Sequence, residues 1–187
     1  MPRRFTPRND NYVEVTYYRA MTEIIIDIPT QRLRLLEGDE PVMDVAISSA
    51  KNGAGEAPGS ECTPRGSHII RAKIGAGHPL NAVFIGRRPT GEIYSPKLDA
   101  AQPGRDWVLS RILWLSGTEI GKNRLGGVDS MRRYIYIHGT PDSEPMGIPM
   151  SHGCVRMRND ELIELFDRVE VGTHVRINSG SMDNIRC

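Results

Sequence analysis

Two short segments of this 187-residue chain combine residue types that can do covalent chemistry. The first, residues 134–140, reads Tyr-Ile-Tyr-Ile-His-Gly-Thr and sets His138 and Gly139 at the end of a β-prone run. The second, residues 151–156, reads Ser-His-Gly-Cys-Val-Arg. A core cysteine normally sits inside an apolar period, whereas Cys154 stands among glycine and polar residues, a setting for reactivity. Gly153 removes side-chain bulk so that a carbonyl can approach the sulfur, and backbone N–H groups around Gly153 and Cys154 can form an oxyanion hole. His138, sixteen positions before the cysteine, can serve as general base for the thiol and then as acid for a leaving amine. Together they make a cysteine–histidine arrangement for acyl transfer at an amide carbonyl. The competing reading takes His138, His152 and Cys154 as zinc ligands, since a hydrolytic zinc uses three protein ligands and a water. It ranks second because the spacing is not a standard one and no H-E-x-x-H helix is present. No metal and no cofactor is expected. Cys62 and Cys187 read as bystanders, and His68, His78 and His174 stand in no motif.

These residues must be positioned by mostly β structure. Residues 23–28, 32–36 and 41–47 read as a hairpin meander, and 67–73, 82–85, 134–137 and 174–177 as further strands. Residues 107–115 fit neither the strand nor the helix period cleanly. The stretch 51–60 is a long Gly/Pro loop, and 86–105 has the composition of a lid or insertion. One helix follows the cysteine loop: Asn159 is its expected N-cap, Leu162, Ile163, Leu165, Phe166 and Val169 its apolar face, and Gly172 its stop. Residues 1–20 read as a loose arm, 21–178 as a single catalytic domain, and 179–187 as a tail. No repeat or low-complexity tract divides the chain.

Charge balance narrows the class of function. Lys and Arg number 24 against 23 Asp and Glu, a net +1 with histidine neutral, which argues against a bulk-basic nucleic-acid binder. No apolar run reaches the length of a membrane span, and no apolar h-region follows the first basic residues, so neither membrane nor nucleic acid is expected as a partner. Three widely spaced cysteines do not form a disulfide framework. A cytoplasmic location is the expectation, with the periplasm or envelope as the alternative for a piece of a longer protein.

His138-Gly139, a spacer, and then Ser151-His152-Gly153-Cys154-Val155-Arg156 resemble the signature of the L,D-transpeptidase catalytic domain, the YkuD-type family. Residues 27–33, Asp-Ile-Pro-Thr-Gln-Arg-Leu, and 63–66, Thr-Pro-Arg-Gly, are similar to that family's opening strand-turn element and its Thr-Pro-x-Gly loop. The resemblance implies a mainly β, α+β fold with a mixed sheet or sandwich-like core and a helix after the catalytic loop. It implies Cys154 as nucleophile, His138 as proton acceptor and donor, and the Gly139 carbonyl as the group that orients the imidazole. Ser151 and His152 would shape the loop, and Arg156 would anchor a substrate carboxylate. The implied partner is the peptidoglycan stem tetrapeptide, cleaved between its third-position diamino acid and D-alanine through a thioester. Without an export signal the chain resembles the small L,D-carboxypeptidase-like members that pass the thioester to water in cell-wall recycling. Amine acceptance, as in cross-linking, is the variant outcome. Carbapenems are expected to acylate Cys154. A non-catalytic murein-binding module is the rival from another class.

Overall fold

The structure, a computed structural model, describes residues 21–180. The expected arm at 1–20 and the tail from residue 181, Cys187 included, lie outside the described residues. Alternating burial builds the first hairpin. In β1 (Thr22–Asp27) and β2 (Arg32–Glu37), Ile24, Ile26, Leu33 and Leu35 are fully buried. They face one another across the ladder, Ile24 opposite Leu35 and Ile26 opposite Leu33, as the two-residue period of a one-sided strand requires. β3 (Glu40–Ala46) extends the meander. β4 (Gly66–Ile74), β5 (Ala82–Ile85), β6 (Arg88–Ile93), β7 (Val108–Gly117), β8 (Tyr136–Gly139), β9 (Val155–Met157) and β10 (His174–Asn178) complete a mixed ten-stranded sheet. Its main path runs β3-β2-β1-β10-β4-β7-β5-β6, and β8 and β9 branch from β7.

Among the described residues the helices are α1 (Pro96–Ala101), α2 (Asn159–Arg168) and a short 3-10 turn, Gly126–Val128. Leu162, Leu165 and Phe166 of α2, with Val169 just beyond it, pack into the main core with Ile24, Leu35 and Val175. Each such side chain contributes about 1.5–3 kcal/mol on burial. Ile163, expected on the same face, is only partly buried. No described helix is long and apolar enough to cross a membrane.

Three local expectations change. The stretch 86–105 holds regular structure, β6 and α1, the latter capped by Ser95 Oγ accepting from Leu98 N–H at 3.2 Å. The ambiguous stretch 107–115 is a strand whose period breaks at Ser110, a buried residue with φ +63°. There the pairing of β7 with β8 slips between Leu109 and Ile112, as at a bulge.

Asn159 is the third change, because it does not cap α2. The capping position is Arg158, which makes no side-chain cap bond, and Asn159 is inside the helix. Its Oδ1 accepts from Ser110 Oγ at 2.7 Å and its Nδ2 donates to Thr140 O at 2.8 Å. These bonds tie α2, β7 and the end of β8 together. Gly139 sits at that knot: a Cβ there would stand 2.7 Å from Leu109 O and closer still to Asn159 Oδ1. Replacing Gly139 with alanine is therefore an overpacking change against backbone, expected to cost about 1–3 kcal/mol. Urea denaturation measures it, and an unchanged midpoint would contradict the close approach.

Candidate active site

β8 and β9 run parallel with Ile137 opposite Val155 and His138 opposite Arg156. Cys154 immediately precedes β9, so the ladder brings it beside Tyr136. The Tyr136 N–H donates to Cys154 Sγ at 3.4 Å, and the thiol donates to Tyr134 O at 3.5 Å. Alternation along β8 puts Tyr136 and His138 on one face. The cysteine packs there against Tyr136, Ile112, Phe84 and Ala82.

His138 is buried, and its Nδ1 lies 2.9 Å from Gly139 O. A carbonyl only accepts, so Nδ1 carries the proton and Nε2 is left as the basic nitrogen. Burial holds the imidazole below its ordinary value, with the Gly139 carbonyl pulling the other way. Burial also pushes the Cys154 thiol up to about 12. The Tyr136 N–H and the guanidiniums of Arg156 and Arg133 favour the thiolate, while Asp106 opposes it. Burial therefore disfavours the charged form of each group, the thiolate of Cys154 and the imidazolium of His138.

The loop before Cys154 is braced from two sides. Ser151 is buried; its hydroxyl donates to Cys154 O at 2.5 Å and accepts from Gly153 N–H at 3.3 Å. Thr63 Oγ1 donates to Gly153 O at 3.0 Å and accepts from Ala50 N–H at 3.0 Å. Gly153 has φ +126°, and a Cβ on it would meet Ile135 at 3.3 Å and Cys62 O at 3.4 Å. Of the N–H groups around Gly153 and Cys154 expected to form an oxyanion hole, that of Gly153 has Ser151 Oγ as its acceptor here. Ser151, expected to shape the loop, bonds within it at Gly153 and Cys154. His152 is exposed, with Nδ1 3.7 Å from Asp106 Oδ2.

Arg156 departs most from its expected role. Only 7% exposed, it places Nη2 2.7 Å from Asp106 Oδ1 and Nη1 3.5 Å from Glu144 Oε2. Two carboxylates already neutralise it on the wall of a cleft of about 240 Å³ that Trp107, Thr140 and His152 also line. His138, His152 and Cys154 do not gather into a ligand set, and among the described residues no group of three or more His, Cys, Asp or Glu is arranged to hold a metal ion. Tyr134, Tyr136, Asp106 and Asn159 were missing from the sequence-derived site. The alternation Tyr-Ile-Tyr-Ile-His carried a signal for the tyrosines; Asp106 had none.

A thiol and a correctly protonated imidazole, held on paired strands above a braced glycine loop, have the layout of a cysteine acyl-transfer domain. The family model of the L,D-transpeptidase catalytic domain, YkuD, matches residues 21–177, and the chain belongs to that family. "Probable L,D-transpeptidase ErfK/SrfK" of Salmonella typhimurium is 49% identical over 45 residues, 24% of this chain and 15% of the relative. "Probable L,D-transpeptidase YbiS" of Escherichia coli is 48% identical over 44 residues, 24% of this chain and 14% of the relative. A crystal structure of L,D-transpeptidase 3 from Mycobacterium tuberculosis, in complex with a faropenem-derived adduct, shares the fold. Its TM-score is 0.53 at 14% identity, covering 85% of this chain and 60% of that one. The matched part is less than two thirds of each relative's length.

The raised thiol makes a prediction about reactivity. Alkylation of Cys154 by iodoacetamide, followed by peptide mass mapping, should be slower at pH 7 than that of glutathione. It should keep rising through the alkaline range, because deprotonation is incomplete until pH approaches the raised value of about 12. A plateau reached below pH 8 would show a preformed thiolate instead.

Proposed function

We propose that this chain is a cysteine acyl-transferase acting on peptidoglycan stem tetrapeptides, with Cys154 as nucleophile and His138 as its base and acid. One observation carries the reading: His138 is held by Gly139 O at 2.9 Å in the tautomer whose free nitrogen can take a proton, on the strand paired beside Cys154. Membership of the L,D-transpeptidase family supplies the substrate class.

In the proposed cycle, His138 Nε2 takes the thiol proton as Sγ adds to the carbonyl of the third-position diamino acid. The tetrahedral intermediate collapses, the C–N bond breaks, and His138 returns the proton to the amine of the departing D-alanine. The acyl group is left as a thioester on Cys154. An acceptor, water or an amine, then adds to the thioester carbonyl while His138 takes its proton; the C–S bond breaks, and His138 returns the proton to the departing sulfur, which regenerates the thiol. Burial favours this proton-coupled route: a thiol raised by desolvation loses its proton most readily when the sulfur is already bonding to carbon.

Two measurements test the proposal. Incubation with a disaccharide-tetrapeptide, with and without an added D-amino acid, should release D-alanine. Tripeptide alone identifies the carboxypeptidase expected from the sequence, and an exchanged product identifies a transpeptidase. Binding without release would support the murein-binding rival. Carbapenem exposure should add one lactam mass to the intact protein and none to Cys154→Ala. An adduct that persists in the variant would remove Cys154 from the nucleophile's role.

A further inference from the structure

The charges around the cysteine are distributed unevenly. On the Asp106 side, Arg156 is met by two carboxylates, as described above. On the Tyr134 side stands Arg133, one residue before the carbonyl that accepts from the Cys154 thiol. Its Nη1 donates to Gly55 O at 3.0 Å, and its Nη2 donates to Cys62 O at 2.6 Å and Ser60 Oγ at 3.3 Å. Cys62 O in turn lies 3.4 Å from the position a Cβ would take on Gly153. The guanidinium is therefore one carbonyl away from the cysteine loop.

All three acceptors of Arg133 are neutral, and among the described residues no carboxylate forms an ion pair with it. Glu56 acts on it from a distance, but both Glu56 oxygens are held by Arg65, each at 2.8 Å. A guanidinium has five N–H groups, and these bonds use three. A half-buried cation whose charge is met only by dipoles has lost part of its hydration without gaining a counter-ion, and so favours an anionic ligand. Arg87 adds positive charge on the same side: it stacks 4.9 Å from the centre of the Tyr134 ring and 4.5 Å from that of Trp114, and it donates to Tyr136 Oη at 2.8 Å.

We infer that Arg133, rather than Arg156, is the specificity-determining residue that takes a carboxylate of the donor peptide. This rests on the proposed stem-peptide substrate, which carries a free carboxylate at its terminal D-alanine and others on the residues before it. Arg156 instead closes the opposite wall through Asp106 and Glu144.

Binding measured in a Cys154→Ala background separates this inference from turnover. Calorimetric titration with the tetrapeptide should show Arg133→Gln weakening Kd about 10- to 100-fold, the range of a charge-assisted bond. Arg133→Lys should recover part of the loss. Peptides amidated singly at each free carboxylate of the stem form the other arms, and the arm in which Arg133→Gln no longer matters identifies the group bound. A purely structural Arg133, bracing the Gly55–Cys62 loop, would weaken every peptide equally, and that result overturns the inference, as does an unchanged Kd. Peptide discrimination by Arg133 without any wild-type D-alanine release would overturn the proposed reaction and leave the carboxylate site standing. No binding of any peptide overturns both.

Discussion

Two short strands, β8 and β9, run parallel, with His138 in register with Arg156, and the position of every reactive group follows from that pairing. Antiparallel neighbours can be joined by a two-residue turn, but parallel ones need a crossover of a dozen or more residues. The spacer between His138 and Cys154 is that crossover. It cannot be shortened much without losing the register, and it gives the chain room to present Thr140, Glu144 and His152 along the cleft. The outer edge of β9 is closed in turn by Ser48, whose N–H and C=O both bond to Arg156, at 3.0 and 2.9 Å. A three-residue strand thus has partners on both sides.

Burial is the second determinant, and it acts on both members of the pair. It raises the thiol and lowers the imidazole, so a thiolate–imidazolium pair is disfavoured at rest from both directions. The Tyr134 carbonyl reinforces this by accepting from the neutral thiol. A resting ion pair would make Cys154 a strong nucleophile toward any electrophile. In the proposed reaction, that reactivity is reserved for a carbonyl that arrives within reach of both sulfur and Nε2, which would couple selectivity to proton transfer.

Much of the architecture was legible because it rests on the two-residue period. β1, β2 and β10 have it, and residues 134–140 showed both the strand and the histidine at its end. The misses share a physical cause, in that the local pattern is overridden by tertiary contacts. β6 reads Arg-Pro-Thr-Gly-Glu-Ile and is mostly exposed, an edge strand with none of the apolar alternation that marks an inner one. β7 hid its period because Ser110 takes a left-handed conformation and shifts the pairing. Asn159 looks like a cap because asparagine before an acidic turn usually is one, but Ser110 and Thr140 compete for its amide and win. At the site, His138, Cys154 and Ser151 could be read from local sequence. Asp106 could not, since its link to Arg156 joins residues fifty positions apart. That one link gives Arg156, whose type suggested an anchor for a substrate carboxylate, a carboxylate of this chain as partner.

The long loop at 51–60 gains a purpose from the same contacts. Gly153 has a backbone conformation that side-chain-bearing residues rarely adopt, and such conformations persist only where the surroundings hold them. The surroundings here are Thr63, whose hydroxyl bridges Ala50 N–H and Gly153 O, and Ser151, which bonds both to Gly153 N–H and to Cys154 O. Arg133 then gathers Gly55, Ser60 and Cys62, so the loop that supports the cysteine is itself held by a cation next to the thiol. A carboxylate that draws on Arg133 acts on the same guanidinium that braces the cysteine loop. Under the inference drawn for Arg133, recognition of a carboxylate and bracing of the cysteine loop would be joined through a single side chain, for which a lysine, with one compact charge in place of the planar fork, is a poor substitute.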